Sequence, residues 1–344
     1  MLIVDAHQDL AWNMLAFGRD YTRPAAETRR IEAGGPTPEL NGEALLGWPE
    51  YQRGRVALVF TTLFATPARH CTGTWEKLCY ADSAQAMRIY HSQMDVYDRL
   101  VDDHPDKFQP VRTLTELERV LAAWERSPRQ AAGPENPATK DAPAVGLVFS
   151  MEGGDCIQDP GELETWWQRG LRLIGPAWSG NRFCGGTREP GPLTAQGYAL
   201  LERMADLGFG LDLTHMDEQA VLQALDFYPG TLLASHSNAQ ALLKDSAGNR
   251  HLSDRVIDGI LERDGVIGIV PFNQFLKPGW RIGDRRQEVQ IEYVIAQIDY
   301  ICQRAGDARH VGLGTDFDGG FGLQSVPVGI DSIADLLKLD AWLA

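Results

Sequence analysis

Eight short apolar runs recur along the 344-residue chain, and each ends in small, polar or chemically active residues. They are LIVDAH (2–7), VALVFTTLF (56–64), AVGLVFSMEGG (144–154), LRLIGPAWS (171–179), FGLDLTH (209–215), GTLLASHS (230–237), GVIGIVPF (265–272) and HVGLGTDFDG (310–319). The runs are nearly continuous rather than alternating, the pattern of strands buried on both faces of a parallel sheet. Amphipathic segments predict helices over 84–103, 113–127, 195–208, 217–228, 253–265 and 291–306. Eight strands alternating with helices predict an α/β fold, a single (β/α)₈ barrel of TIM type over residues 1–344. A helical insertion is expected over about 76–143, between the second and third strands, with the Pro- and Ala-rich stretch 126–144 as an exposed loop. After the eighth run there is room for one short helix, 332–344.

Composition excludes some partners. Acidic residues outnumber basic ones 47 to 32, a formal net charge of −15, whereas nucleic acid and anionic membranes call for a basic face. No apolar run reaches the roughly 18 residues of a membrane span. The amino terminus has no basic n-region followed by an apolar stretch, so no signal peptide is expected and the expected location is cytoplasmic. Cys71, Cys79, Cys156, Cys184 and Cys302 are odd in number and form no C-x-x-C pair, and are expected to be reduced thiols.

In a barrel of this kind the chemistry gathers at the carboxyl ends of the strands. Strand 1 ends in His7 and Asp9, strand 3 in Glu152, strand 5 in His215, strand 6 in His236 and strand 8 in Asp316 and Asp318. Three of only eight histidines therefore fall at predicted strand ends. His7 and Asp9, two residues apart in extended chain, project to one side and can share a metal ion. His215 and His236, from neighbouring strands, can share a second, with Glu152 between the two. Imidazole with carboxylate suits zinc and other first-row divalent ions, and a shared carboxylate suits the short spacing of two-metal hydrolases. A lone histidine at a strand end is more often a hydrogen-bonded structural residue; the concentration is what favours ligation. His70, His91, His104, His251 and His310 fall on helices, loops or a strand start and are expected to be structural.

The segments DAHQDL, SMEGG, LDLTHM, SHSNA followed by NR, and GLGTDFDGG resemble, in order and spacing, the membrane (renal) dipeptidase family of zinc peptidases. The resemblance runs from residue 1 to about 320. It implies a metal-dependent hydrolase barrel that cleaves dipeptides with a hydroxide bridging two zinc ions. By that resemblance His7 and Asp9 bind one zinc, His215 and His236 the other, and Glu152 bridges them. Arg250 receives the substrate's terminal carboxylate and Asp316 handles protons at the scissile amide; Asp318 joins the substrate site. A homodimer is usual for the family. At the end of the fourth strand the family carries a histidine that polarises the substrate carbonyl; here Trp178 stands in that place and can donate only an uncharged indole N–H. That departure favours an alternative reading, hydrolysis of another small amide, cyclic amide or lactam on the same binuclear site. A metal-binding barrel without catalysis is a third, opposed by the full set of candidate ligands beside Asp316.

Overall fold

All eight apolar runs form strands. In the computed structural model, which describes residues 1–127, 142–243 and 248–343, the barrel strands are β1 (Ile3–Gln8), β2 (Val56–Phe64), β3 (Val145–Glu152), β4 (Leu171–Gly175), β5 (Gly210–Asp212), β6 (Leu232–Ala234), β7 (Val266–Ile269) and β8 (Val311–Leu313). Their order is β2-β1-β8-β7-β6-β5-β4-β3, every pairing is parallel, and β2 pairs back onto β3 to close the barrel. The continuous apolar character has its reason here: seven of the nine residues of β2 are buried, with the helical layer on one face and the barrel interior on the other. A short strand, Phe108–Pro110, adds a ninth member outside the ring, against β3.

Register sets the height of the site. Phe64 pairs with Glu152, and Glu152 with Gly175, so the ends of β2, β3 and β4 are level. The long helix Ser83–Asp103, capped by the Asp82 side chain, buries Ala86, Tyr90, Met94, Tyr97 and Leu100 at helical spacing. Two of these tyrosines reach the strand ends. Tyr97 Oη donates to the Thr62 carbonyl at 2.7 Å and Tyr90 Oη to the Glu152 carbonyl at 2.6 Å. Asp5 does similar work inside the barrel, accepting from the Thr315 N–H and hydroxyl and tying β1 to the loop after β8.

Two expectations change. Cys71 and Cys79 form a disulfide rather than free thiols. Two-residue strands pair Thr66 with Cys79, and the cysteine Cα atoms stand 6.4 Å apart, within disulfide reach. So short a pairing leaves no trace in hydrophobic periodicity. The last segment is a 3₁₀ stretch, Ile333–Lys338, followed by the short helix Leu339–Leu343, not one helix. A Ser332/Asp335 capping box starts it, and Ile333 and Leu336 are buried. The loop expected over 126–144 lies mostly outside the described residues. No helix among them is long and apolar enough to cross a membrane.

Candidate metal centre

Six side chains from five strand ends meet at the carboxyl mouth of the barrel. Glu152 turns its two oxygens to opposite sides. Oε1 lies 2.9 Å from His215 Nε2 and 3.4 Å from His236 Nε2, while Oε2 lies 3.8 Å from His7 Nε2. His7 Nε2 is also 3.7 Å from Asp9 and 3.9 Å from Asp316. The sequence motifs thus converge into two neighbouring groups of donor atoms that share His7: His7, Glu152 and His236 in one, and His7, Asp9 and Asp316 in the other.

Each imidazole is oriented from behind by a hydroxyl on Nδ1: Thr62 for His7 at 3.3 Å, Thr187 for His215 at 2.9 Å and Ser235 for His236 at 2.8 Å. For His236 the tautomer follows. Ser235 gives its hydroxyl proton to Asp212, so its oxygen can only accept from His236 Nδ1–H. Nε2 then carries a lone pair aimed into the cluster, the arrangement that a metal-ligating histidine needs. Glycine makes this corner possible: a side-chain carbon at Gly314 or Gly268 would collide with the Ser235 carbonyl.

The donor set fits divalent cations. His7 Nε2 and Asp9 Oδ1 are buried without a hydrogen-bond partner, and His215 Nε2 faces His236 Nε2 at 3.1 Å. Backbone strain gathers here too. Of six non-glycine residues with positive φ among the described residues, His215 (68°), Asp316 (54°), Asp318 (66°) and Arg188 (70°) belong to the loops at or beside this mouth.

Metal-free, the cluster holds protons instead. Burial disfavours charge on His7, but Glu152, Asp9 and Asp316 outweigh it and push the imidazole up to about 10. Burial, with help from Asp9, raises Asp316 to about 7 and lifts Glu152 well above the carboxylate range. Burial holds His215 and His236 well below the usual histidine value, neutral and ready to ligate. The raised groups bind protons that a cation must expel, so affinity is fullest at high pH and is lost as pH falls. With roughly tenfold lost per proton per pH unit below each group's pKa, apparent metal affinity is expected to drop at least a hundredfold from pH 8 to pH 6. Competition titrations with a metal chelator at both pH values check this, and equal affinities would contradict it.

Around the cluster opens a cavity of about 750 Å³. Arg250 and Trp178 both line it, as expected. Arg250 donates to the His236 carbonyl at 2.8 Å and makes no ion pair among the described residues. Trp178 packs beside Phe64, His70 and His215, with ring centroids 5.4, 5.7 and 6.0 Å away. Asp318 is a correction. It is fully buried away from the cavity, paired with Arg19 at 3.2 Å and accepting from the Leu45 N–H at 2.8 Å and from Tyr21. Stranding either charge of such a pair costs ~3–5 kcal/mol, so the position is structural. Sequence reasoning missed His70, His251, Thr187 and Arg188, all on the cavity wall. His70 ends the short 3₁₀ helix Ala68–His70 and the others lie on turns and loops, where no periodicity marks them.

A parallel eight-stranded barrel with buried histidines and carboxylates converging at its carboxyl mouth defines a metal-dependent hydrolase. The comparisons narrow the class. The sequence model of the membrane dipeptidases, peptidase family M19, matches residues 131–344. An uncharacterized protein in the pqqA 5′ region of Klebsiella pneumoniae is 32% identical over 205 residues, 57% of this chain and 72% of that protein. The dipeptidase tcpJ of Claviceps purpurea is 23% identical over 312 residues, covering 88% of this chain and 63% of the relative. A metallo peptidase from Rhodobacter sphaeroides, solved with a phosphinate mimic of the dipeptide L-Ala-D-Ala, shares the fold at a TM-score of 0.76 and 24% identity, covering 100% of this chain and 92% of that one. The chain belongs to the membrane dipeptidase family, and its class is that of metallo-dipeptidases.

Proposed function

We propose that this chain hydrolyses dipeptides with a free terminal carboxylate, using two zinc ions at the strand ends. The observation that carries the reading is Glu152, with Oε1 toward His215 and His236 and Oε2 toward His7, beside the Arg250 guanidinium, which makes no ion pair among the described residues. His7 and Asp9 would hold one ion, His215 and His236 the other, and Glu152 both. Zinc bound there would supply a water of lowered pKa and a Lewis acid for the amide carbonyl. Arg250 takes the terminal carboxylate, which gives its unpaired charge a bidentate partner. That contact fixes which peptide bond lies over the cluster. Trp178 supplies an uncharged N–H on the substrate side. Asp316 accepts the proton of the attacking water and returns it to the leaving amine. The phosphinate dipeptide mimic bound by the Rhodobacter neighbour is in keeping with this substrate class.

Trp178 also favours a second reading, opening of a cyclic amide or lactam on the same centre. Substrate turnover separates the two: cleavage of linear dipeptides supports the first, and cleavage confined to cyclic amides the second. Within the first reading, Arg250→Ala is expected to raise KM for dipeptides about 10- to 100-fold, the range for a lost charged hydrogen bond. It should change KM for carboxyl-amidated dipeptides little. Steady-state kinetics on both substrate types check this, and equal effects would remove Arg250 from the carboxylate site.

A further inference from the structure

The wall of the cavity beyond the metal cluster carries a feature that dipeptide hydrolysis alone does not use. Strands Cys184–Gly186 and Glu189–Leu193 form an antiparallel hairpin, with Gly186 opposite Glu189, so Thr187 and Arg188 are its two-residue turn. Arg188 has φ of 70° in the second turn position, where glycine fits without steric cost and a long side chain does not. The turn is fixed from several sides. Arg188 N–H donates to Asn249 Oδ1 at 3.0 Å, and Asn249 Nδ2 donates to the Gly186 carbonyl at 2.9 Å and to Asp217 at 2.7 Å. Thr187 N–H donates to the Trp178 carbonyl at 3.1 Å, and the Thr187 hydroxyl supports His215. Arg188 is exposed on the cavity wall, and its guanidinium lies over the Trp178 ring, 5.7 Å from the centroid.

That guanidinium makes no ion pair among the described residues, in a chain with 15 more acidic than basic residues. The neighbouring carboxylate is already taken: Glu189 binds Arg69 at 2.7 Å and His70 at 3.2 Å. Apart from Asp9, Glu152 and Asp316 of the cluster, the cavity is lined by one carboxylate, Glu76, which accepts from Thr66 and from the Thr72 N–H and hydroxyl. Opposed to it are the guanidinium-bearing residues Arg188, Arg250 and Arg281. One of them, Arg250, suffices for a terminal carboxylate. With the three cluster carboxylates given over to metal, the rest of the lining would set three guanidiniums against one carboxylate, more positive charge than a neutral dipeptide would match.

We propose that Arg188 is a specificity residue that receives a second carboxylate, so that the preferred substrates are dipeptides with an aspartate or glutamate side chain. This rests on the dipeptidase reading. Trp178 serves as the flat support that holds the guanidinium fork toward the incoming acid.

The test compares isosteres. Ala-Glu with Ala-Gln, and Glu-Ala with Gln-Ala, differ by a charge and hardly in shape. In the zinc-loaded wild type, kcat/KM is expected to favour the Glu member of at least one pair by about tenfold or more, mostly through KM. Arg188→Gly suits the positive φ and should fold; in it that ratio is expected to fall at least tenfold. Arg188→Lys should retain part of the preference, and added salt should weaken it in the wild type. A Glu-to-Gln ratio equal in wild type and Arg188→Gly, or a wild-type preference for Gln, overturns the proposal. An equal loss on all four substrates also overturns it, since Arg188 would then act only by holding the hairpin against His215. Absence of cleavage of any dipeptide, Ala-Ala included, by protein with its metal counted would instead strike the dipeptidase reading, and this proposal with it.

Discussion

Asp316→Asn is expected to keep its metal and lose about 10²- to 10⁴-fold in kcat, the range attributed to a positioned acid–base group. The substitution is nearly isosteric and leaves the backbone contacts in place: the Asp316 N–H donates to the His7 carbonyl at 3.2 Å, and its own carbonyl accepts from Gly319. What it removes is an oxygen able to take a proton. That oxygen stands 3.9 Å from His7 Nε2, at the edge of the cluster rather than between the two donor sets. In the proposed reaction a general base there would stand beside the water held at the cluster. Metal analysis and steady-state kinetics on one preparation check this. Near-wild-type kcat would remove Asp316 from proton transfer, and metal lost in step with activity would make it a ligand instead.

Glu152→Gln is expected to have the second large effect, on metal content as well as turnover. Among the described residues Glu152 is the carboxylate that faces all three histidines, with Oε1 toward His215 and His236 and Oε2 toward His7. The amide keeps the shape, and Tyr90 still holds the backbone carbonyl at 2.6 Å. If two cations are held there, the lost negative charge would leave their repulsion without that offset. Bound metal is expected to fall below two per chain, and activity by more than the roughly 10- to 100-fold typical of losing an outer partner of a ligand. Full metal content with near-wild-type turnover would contradict the bridging role.

The strand framework was legible because burial on both faces writes itself as unbroken apolar runs, and the candidate ligands because each stands where such a run stops. His7, Glu152, His215 and His236 could be found that way. Asp318 could not. Asp316 and Asp318 both end the eighth apolar run, and in extended chain they would project to the same side. Positive φ at both positions breaks that alternation and turns Asp318 under the rim to Arg19. Thr187 and Arg188 were hidden for a different reason. A two-residue turn has no period, and its contacts with His215, Trp178 and Asn249 join parts of the chain up to 61 residues apart. The Cys71–Cys79 disulfide depends on a two-residue strand pairing and was equally invisible.

The central claim, a two-metal dipeptidase, is tested most directly by counting zinc and measuring turnover on one preparation, over a panel of L-Xaa-L-Xaa and L-Xaa-D-Xaa dipeptides with cyclic amides alongside. Two zinc ions per chain and cleavage of linear dipeptides are expected. Two metal ions with no dipeptide cleaved would contradict it, keeping the cage and discarding the substrate class.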